Sequence, residues 1–272
     1  MRVPITLCSL VLVATACGSE TPSSFDTDAA PKDAAPDVTV ADANDSGLPS
    51  FPDAASPDAA ACDQIHIGIL GNPGANASSN FQTWLTQAGT SVQRIQTTNA
   101  TPLTAPDIAP FNVIILDSLT RDYTAGEAAI VKAFVEAGGG LVSMTGYNGT
   151  STDFRANTLL AQFGVSYGGG LVNGPVTTFV SHPITKGLTS ITFAGGYLVS
   201  EVGAPPYTRT PIGSIAAGNV AYAIQASKGR AFVWGDEWIE FDSEWSKLPE
   251  VKALWVNAFA WVVPTGCPLT PN

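Results

Sequence analysis

The densest collection of groups able to do chemistry is one short run, Trp234-Gly-Asp-Glu-Trp-Ile-Glu-Phe-Asp-Ser-Glu-Trp245. Asp236, Glu237, Glu240, Asp242 and Glu244 offer hard oxygen donors of the kind Ca²⁺ takes, and Trp238 and Trp245 offer flat faces for a sugar. The spacing is not that of an EF-hand loop, because the glycine turn and the alternating ligands are missing. Asp236 or Glu237 could equally act as the base of a hydrolase on carbohydrate-type substrates, with a histidine assisting. The bland alternative is a solvated acidic loop whose aromatic residues cover the edge of the core. The chain has only two histidines, His66 and His182. Both are isolated and no cysteine pair accompanies them, which argues against zinc. His66 falls inside a strand pattern and reads as a packed residue, whereas His182 precedes Pro183 in a turn. Gly71-Asn-Pro-Gly74 reads as a tight turn, since the G-x-G-x-x-G spacing of a phosphate loop is absent.

The elements that must position these groups follow from apolar spacing. Ile65 to Leu70 is a buried strand, and Phe81, Trp84, Leu85 and Ala88 keep helical spacing before Gly89 stops them. Val92 to Ile95 makes a second strand. Asn112-Val-Ile-Ile-Leu-Asp117 makes a third, whose unbroken apolar centre predicts burial on both faces. Thr124-Ala-Gly-Glu127 is a capping box ahead of the stripe Ile130, Val131, Phe134 and Val135, with Gly138 as the stop. Leu141 to Met144 is a fourth strand, and a helix is expected from about Thr152 to Phe163. Beyond Val165 the pattern loosens into short strands and an inserted hairpin. Ala221 to Ala226 and Ala231 to Trp234 restore order. A last helix carries Val251, Leu254, Trp255, Ala258, Phe259 and Val262 at i, i+3, i+4, i+7, i+8 and i+11, with Pro249 in its first turn. Strict strand–helix alternation predicts an α/β domain of the doubly wound, flavodoxin-like kind: a mostly parallel sheet with helices on both faces.

The two ends of the chain have a different character. Arg2 and the apolar run Ile5 to Val13 read as a signal peptide over residues 1–16, too short to span a bilayer. Leu12-Val-Ala-Thr-Ala-Cys17 resembles the bacterial lipoprotein box, in which Cys17 becomes the acylated N-terminus (palmitate among its acyl chains). The alternative is an ordinary signal peptide cut after Ala16. Gly18 rather than aspartate after the cysteine implies, by that resemblance, retention at the outer membrane, on its periplasmic face or at the cell surface. Residues 17–61 are rich in Asp, Ala, Pro and Ser, with acids at Glu20, Asp26, Asp28, Asp33, Asp37, Asp42, Asp45, Asp53 and Asp58 against Lys32 alone. Such a segment cannot bury enough apolar surface to offset the entropy of ordering, so a disordered tether is expected. Its reach lies between about 40 Å as a flexible coil and about 140 Å in full polyproline extension.

That tether carries most of the net charge of −11. The domain at 62–272 is only mildly acidic, and no basic stripe marks a nucleic-acid surface. Cys8 leaves with the signal peptide, so Cys62 and Cys267 flank the domain. In an exported compartment they are expected to form a disulfide stapling its ends, with two unpaired thiols as the alternative.

Three motifs carry a further resemblance. Phe111-Asn-Val-Ile-Ile-Leu-Asp117, then Phe134-Val-Glu-Ala-Gly-Gly-Gly140 and Leu141-Val-Ser-Met-Thr-Gly146, resemble the class I glutamine amidotransferase-like superfamily, in particular its trehalose-utilisation-type branch. Ser181-His-Pro-Ile-Thr-Lys-Gly-Leu188 and Gly229-Arg-Ala-Phe-Val-Trp-Gly-Asp236 fit as well. The resemblance implies a nucleophilic cysteine on a strained turn after the fourth strand. Here that turn reads Met144-Thr-Gly-Tyr147, with Thr145 at the cysteine's position and no cysteine inside the domain. Glutaminase chemistry is therefore not expected. The expected function is a lipid-anchored, non-catalytic domain, monomeric and bound to the membrane through its lipid alone. It would bind a saccharide, another ligand or a protein partner through Thr145, Tyr147, Asp236, Glu237 and Trp238. No cofactor is implied beyond the Ca²⁺ that the acidic run could take. The rivals are a hydrolase-like enzyme using Asp236 or Glu237 with His182, and a structural envelope or adhesion module.

Overall fold

Runs of β-branched and aliphatic residues with no polar alternation must be covered on both faces, and four such runs build the centre of the molecule. The computed structural model describes residues 64–72, 79–146, 154–245, 247 and 249–263. The signal peptide, the tether, Cys17, Cys62, Cys267 and Tyr147 lie outside the described residues.

Strands β1 (His66–Leu70), β2 (Ser91–Ile95), β3 (Val113–Leu116) and β4 (Gly140–Ser143) pair in parallel. Helices α1 (Ser79–Gln87), α2 (Ala105–Ile108) and α3 (Ala125–Glu136) alternate with them. One turn of α4 (Asn157–Leu160) runs on into a 3₁₀ turn at Ala161–Phe163, a shorter helix than the apolar spacing predicts. The chain then makes a long excursion through β5 (Val165–Asn173), β6 (Thr178–Phe179), β7 (Ala194–Glu201), β8 (Thr208–Ile215) and β9 (Gly218–Ala226). It returns as β10 (Gly229–Trp234), parallel to β4, and ends in α5 (Asp242–Trp245) and α6 (Pro249–Val262).

The eight-stranded sheet has the order β2-β1-β3-β4-β10-β9-β8-β6. Its first five strands reproduce the flavodoxin-like order, with the direction of winding reversing between β1 and β3. The last three strands are antiparallel additions. The expected inserted hairpin is realised twice: as β8 and β9 extending the main sheet, and as β5 and β7, a separate two-stranded sheet.

Each face of the sheet has its own core. One packs Ile67, Ile69, Ile115 and Phe232 against Phe81 and Leu85 of α1 and Trp255, Ala258 and Phe259 of α6. The other packs Ile114, Leu116, Leu141 and Val233 against Val131, Phe134 and Val135 of α3, Leu160 of α4, and Tyr167 and Tyr197 of the small sheet. Helices therefore cover both faces, as the alternation of strands and helices predicts. The capping box is present: Thr124 accepts from the Glu127 amide at 3.2 Å, and Glu127 accepts from the Thr124 amide at 2.9 Å.

Candidate functional site

The parallel strands all end on one edge of the sheet, at Leu70, Leu116, Ser143 and Trp234, and the segments leaving them converge there. Open α/β sheets bind ligands on this edge, beside the point where the winding reverses. Asp117 leaves β3 at that point, fully buried, and Arg94 of β2 reaches across β1 to meet it. Arg94 Nη1 donates to Asp117 Oδ2 at 2.8 Å and to the Gly71 carbonyl at 3.1 Å. The exits of β1 and β3 are stitched by Asp117 N–H to Leu70 O at 2.9 Å and Asn72 N–H to Ser118 O at 3.2 Å. Gly71 is required here: its φ is +101°, and a Cβ would lie 1.9 Å from the Asp117 carbonyl oxygen.

The acidic run after β10 folds onto Asp117. A 3₁₀ turn at Trp238–Glu240 is pinned from below, because Ile239 is buried and its carbonyl accepts from Trp255 Nε1 at 2.8 Å. This turn brings Glu240 and Glu237 to Asp117, so that one carboxylate oxygen from each lies within 4.8 Å of the others. All three side chains are buried. Burial raises the pKa of Glu240 well above the usual carboxylate range, and the Asp117 charge adds to the effect. Burial also raises Asp117, against the opposing pull of the Arg94 guanidinium. Glu237 closes over Gly146, where a Cβ would stand 2.3 Å from Glu237 Cγ.

Beside this cluster a small, shallow cleft opens between the exits of β3 and β4. Ser118, Thr145, Arg155 and Glu237 supply its polar groups, and Leu119 and Met144 its apolar ones. Thr145 and Glu237, both expected ligand contacts, are therefore brought together in it. Thr145 does not occupy a strained elbow. The only non-glycine residue with positive φ among the described residues is Ser227. Thr145, where the resemblance implies the cysteine, thus has a backbone in an ordinary region.

Other expected site residues are placed elsewhere. Asp236 is fully buried and holds the chain instead of facing the cleft: its carboxylate accepts from Ala194 N–H at 2.5 Å and Trp238 N–H at 3.2 Å. Burial pushes its pKa up to about 8, while those amide donors pull it back. Trp238 is half-buried and stands against Phe241 at 6.0 Å, outside the cleft lining. Trp245 is buried edge-on against Phe81 and Trp84, so it has no free face for a sugar. Of the expected calcium donors Asp236, Glu237, Glu240, Asp242 and Glu244, only Glu237 and Glu240 come together. Asp242 accepts from the Asn80 amide at 2.8 Å in the first turn of α1, and Glu240 groups with Asp117 and Glu237. Nor is the run a solvated loop, for Asp236, Glu237, Glu240 and Glu244 are all buried.

The histidines stand apart from this edge. His182 Nδ1 accepts from Ile184 N–H at 3.2 Å, capping a 3₁₀ turn, and its ring meets Trp261 at 4.9 Å. Trp261 O accepts from Arg230, which pairs with Gly140 at the opposite, N-terminal end of β4 and β10. Burial and Arg230 lower the His182 pKa. His66, expected as a packed residue, is exposed at the start of β1, where its Nδ1 meets Ser91 Oγ at 2.6 Å. A carboxylate and His182 therefore do not converge, and the acid–base pair required by the hydrolase alternative is absent among the described residues.

Asp117, Arg94, Ser118 and Arg155 join the site without having been expected there from the sequence. Asp117 was legible in principle, as an acid directly after a doubly buried strand at the winding reversal. Arg94, Ser118 and Arg155 gave no such signal.

Comparison with known proteins supports the fold. No family model matches the chain, and no curated protein matches it. Among solved structures, the mmIFT52 N-terminal domain superposes with a TM-score of 0.59 at 16% identity, covering 75% of this chain and 97% of that one. The cytoplasmic protein STM3548 from Salmonella typhimurium gives 0.53 at 16% identity, covering 74% and 98%. A ThuA-like protein from Parabacteroides merdae gives 0.48 at 13% identity, covering 76% and 92%. At these identities the likeness is one of fold: a flavodoxin-like α/β domain with a predominantly parallel sheet.

Proposed function

We propose that this chain is an exported, lipid-anchored protein whose α/β domain binds a small polar ligand without transforming it. The cleft at the β3 and β4 exits is the binding site. The observation that carries the reading is the composition of that cleft. Arg155 and Glu237 bring opposite charges, and Ser118 and Thr145 bring hydroxyls, at the edge where this architecture takes ligands. Among the described residues, neither histidine stands at that edge. Thr145 has an ordinary backbone, and His182 stands at the far end of β10. A threonine hydroxyl is a weak nucleophile at neutral pH unless a strong base is set against it. The amidotransferase-like motifs then describe ancestry of the scaffold, with Thr145 lining a site its relatives use for chemistry. Acylation of Cys17 and the acidic tether would hold the domain clear of a lipid surface.

Thermal unfolding of the exported chain against saccharides, zwitterionic amino compounds and small carboxylic acids tests the reading. A ligand at 100 times its Kd should raise the midpoint by about 5–10 °C. Thr145→Trp, which fills the cleft, should abolish the shift while leaving the ligand-free midpoint within about 2 °C. A flat response across the panel would instead favour a structural envelope role. Incorporation of a labelled fatty acid, lost in Cys17→Ser, tests the anchor separately.

A further inference from the structure

Buried carboxylates such as Glu127 and Asp236 are met by donors, and Glu240 is not. Glu240 is fully buried, and neither Oε1 nor Oε2 receives a hydrogen bond from any N–H or O–H donor. Asp117 Oδ1, also fully buried, lacks a donor as well. Glu240 faces the Asp117 carboxyl, itself an acceptor that helps only if a proton lies between them. Arg94 supplies one positive charge through a single nitrogen, while its Nε and Nη2 find no partner. The buried Asp117 and Glu240 carboxyls thus share one guanidinium contact, and neither Glu240 oxygen is met by a donor. An orphaned buried carboxylate costs several kcal/mol unless something else meets it.

We infer that Asp117, Glu237 and Glu240 form a divalent-cation site, selective for a hard, oxygen-seeking ion such as Ca²⁺. The donor set is all carboxylate, which suits Ca²⁺, Mg²⁺ or Mn²⁺ and not zinc or copper. Ligand oxygens around one ion at 2.3–2.6 Å stand at most about 5 Å apart, and the three here lie within 4.8 Å of one another. One cation would balance two negative charges and supply the partner that Glu240 and Asp117 Oδ1 both lack. Three protein oxygens leave most of the coordination sphere of Ca²⁺ to water or to a ligand. Glu237 belongs both to this cluster and to the cleft lining, so an ion here would stand beside the ligand site. The inference does not depend on the cleft's being a binding site, because the cluster lies in the buried layer behind it.

The test uses the full chain stripped with a chelator and then titrated with Ca²⁺, Mg²⁺ and Mn²⁺, with K⁺ as an ionic-strength control. Binding is read by isothermal calorimetry and thermal midpoint at constant pH. The expected result is one Ca²⁺ per chain and a midpoint rise of about 5–10 °C at 100 times Kd. Both should be lost in Glu240→Gln, a variant of nearly unchanged shape. Glu244→Gln, an acid of the same run outside the cluster, should keep both. A chain that takes up no divalent ion at millimolar concentration overturns the inference; so does ion binding that survives Glu240→Gln. In either case a proton shared between Glu240 and Asp117 neutralises the cluster instead. Failure of the ligand panel in the presence of Ca²⁺ binding would sink the cleft reading alone.

Discussion

Two buried acidic constellations sit on the same edge of the sheet, and they are built on opposite principles. At the start of α3, Glu127 accepts from five donors. They are Leu103 N–H at 2.7 Å, Thr124 N–H at 2.9 Å, Thr124 Oγ1 at 3.0 Å, Arg121 Nη1 at 3.2 Å and Arg121 Nη2. Arg121 in turn stacks 4.0 Å above the Tyr123 ring. Burial alone would raise the pKa of Glu127, but hydrogen bonds from Arg121, Thr124 and Leu103 bring it down to about 2. At the exit of β3, Glu240 has no donor at all, and its pKa is pushed up. The first arrangement is complete within the chain and has no further need. The second is incomplete, and that incompleteness is what separates a site from a structural network.

The largest effect should come from breaking the complete network. Glu127→Ala leaves the Arg121 charge buried and opposed by nothing, and strands the Leu103 and Thr124 amides. A loss of about 3–5 kcal/mol is expected, read from urea unfolding at pH 7. Arg121→Ala should cost a comparable amount, because it leaves the Glu127 carboxylate behind. If both variants lost less than about 1 kcal/mol, the contrast between the two constellations would collapse.

The same network sets an acid limit. The folded pKa of Glu127, about 2, lies below its ordinary value of 4.5, so its stabilisation is fully present above about pH 4.5. It is lost progressively as pH falls from there towards 2, on the order of 3 kcal/mol in all. Glu127→Gln should flatten the stability profile across that window. An unchanged slope between pH 4.5 and 2 would mean that other carboxylates govern acid unfolding.

Much of this scaffold was legible in the sequence, and the site mostly was not. The Thr124–Glu127 box, the α6 stripe from Val251 to Val262, and the buried run Val113–Leu116 are local patterns, and each folds as it reads. Glu237 and Thr145 share a cleft for a reason the strand order supplies: β10 pairs beside β4 despite the long excursion between them. The acidic run misled because so many acids and tryptophans stand close together in the sequence. Its residues divide instead among three tasks: Asp236 anchors Ala194, Asp242 caps α1, and Glu237 and Glu240 turn to Asp117. Which acid takes which task depends on contacts made with residues far away in the chain. The shortened α4 has a similar cause. Packing of Leu159, Leu160 and Phe163 satisfies one turn of α-helix and a 3₁₀ turn, and Gly164 at φ +78° ends the segment.

Gly71 probes how tightly the incomplete cluster is held. Gly71→Ala would place a methyl group against the Asp117 carbonyl in a backbone region alanine disfavours. A cost of about 2–3 kcal/mol is expected from conformation and overpacking together. The β1 and β3 exits must part to accommodate it, so any divalent-ion affinity should fall at least tenfold in the same variant. Loss of stability with affinity intact would show that the strand exits do not set the cluster's geometry.

The smallest effect carries the most information, because its sign differs from that of Glu127. In chelator at pH 7, Glu240→Gln should be neutral or stabilising by about 1 kcal/mol. The substitution keeps the shape of the side chain and removes a charge that nothing in the chain satisfies. Two buried glutamates on one edge of one sheet would then answer removal of their charge in opposite directions. A loss above about 2 kcal/mol in chelator would mean that Glu240 is satisfied within the folded chain after all. The second constellation would then be a structural network like the first.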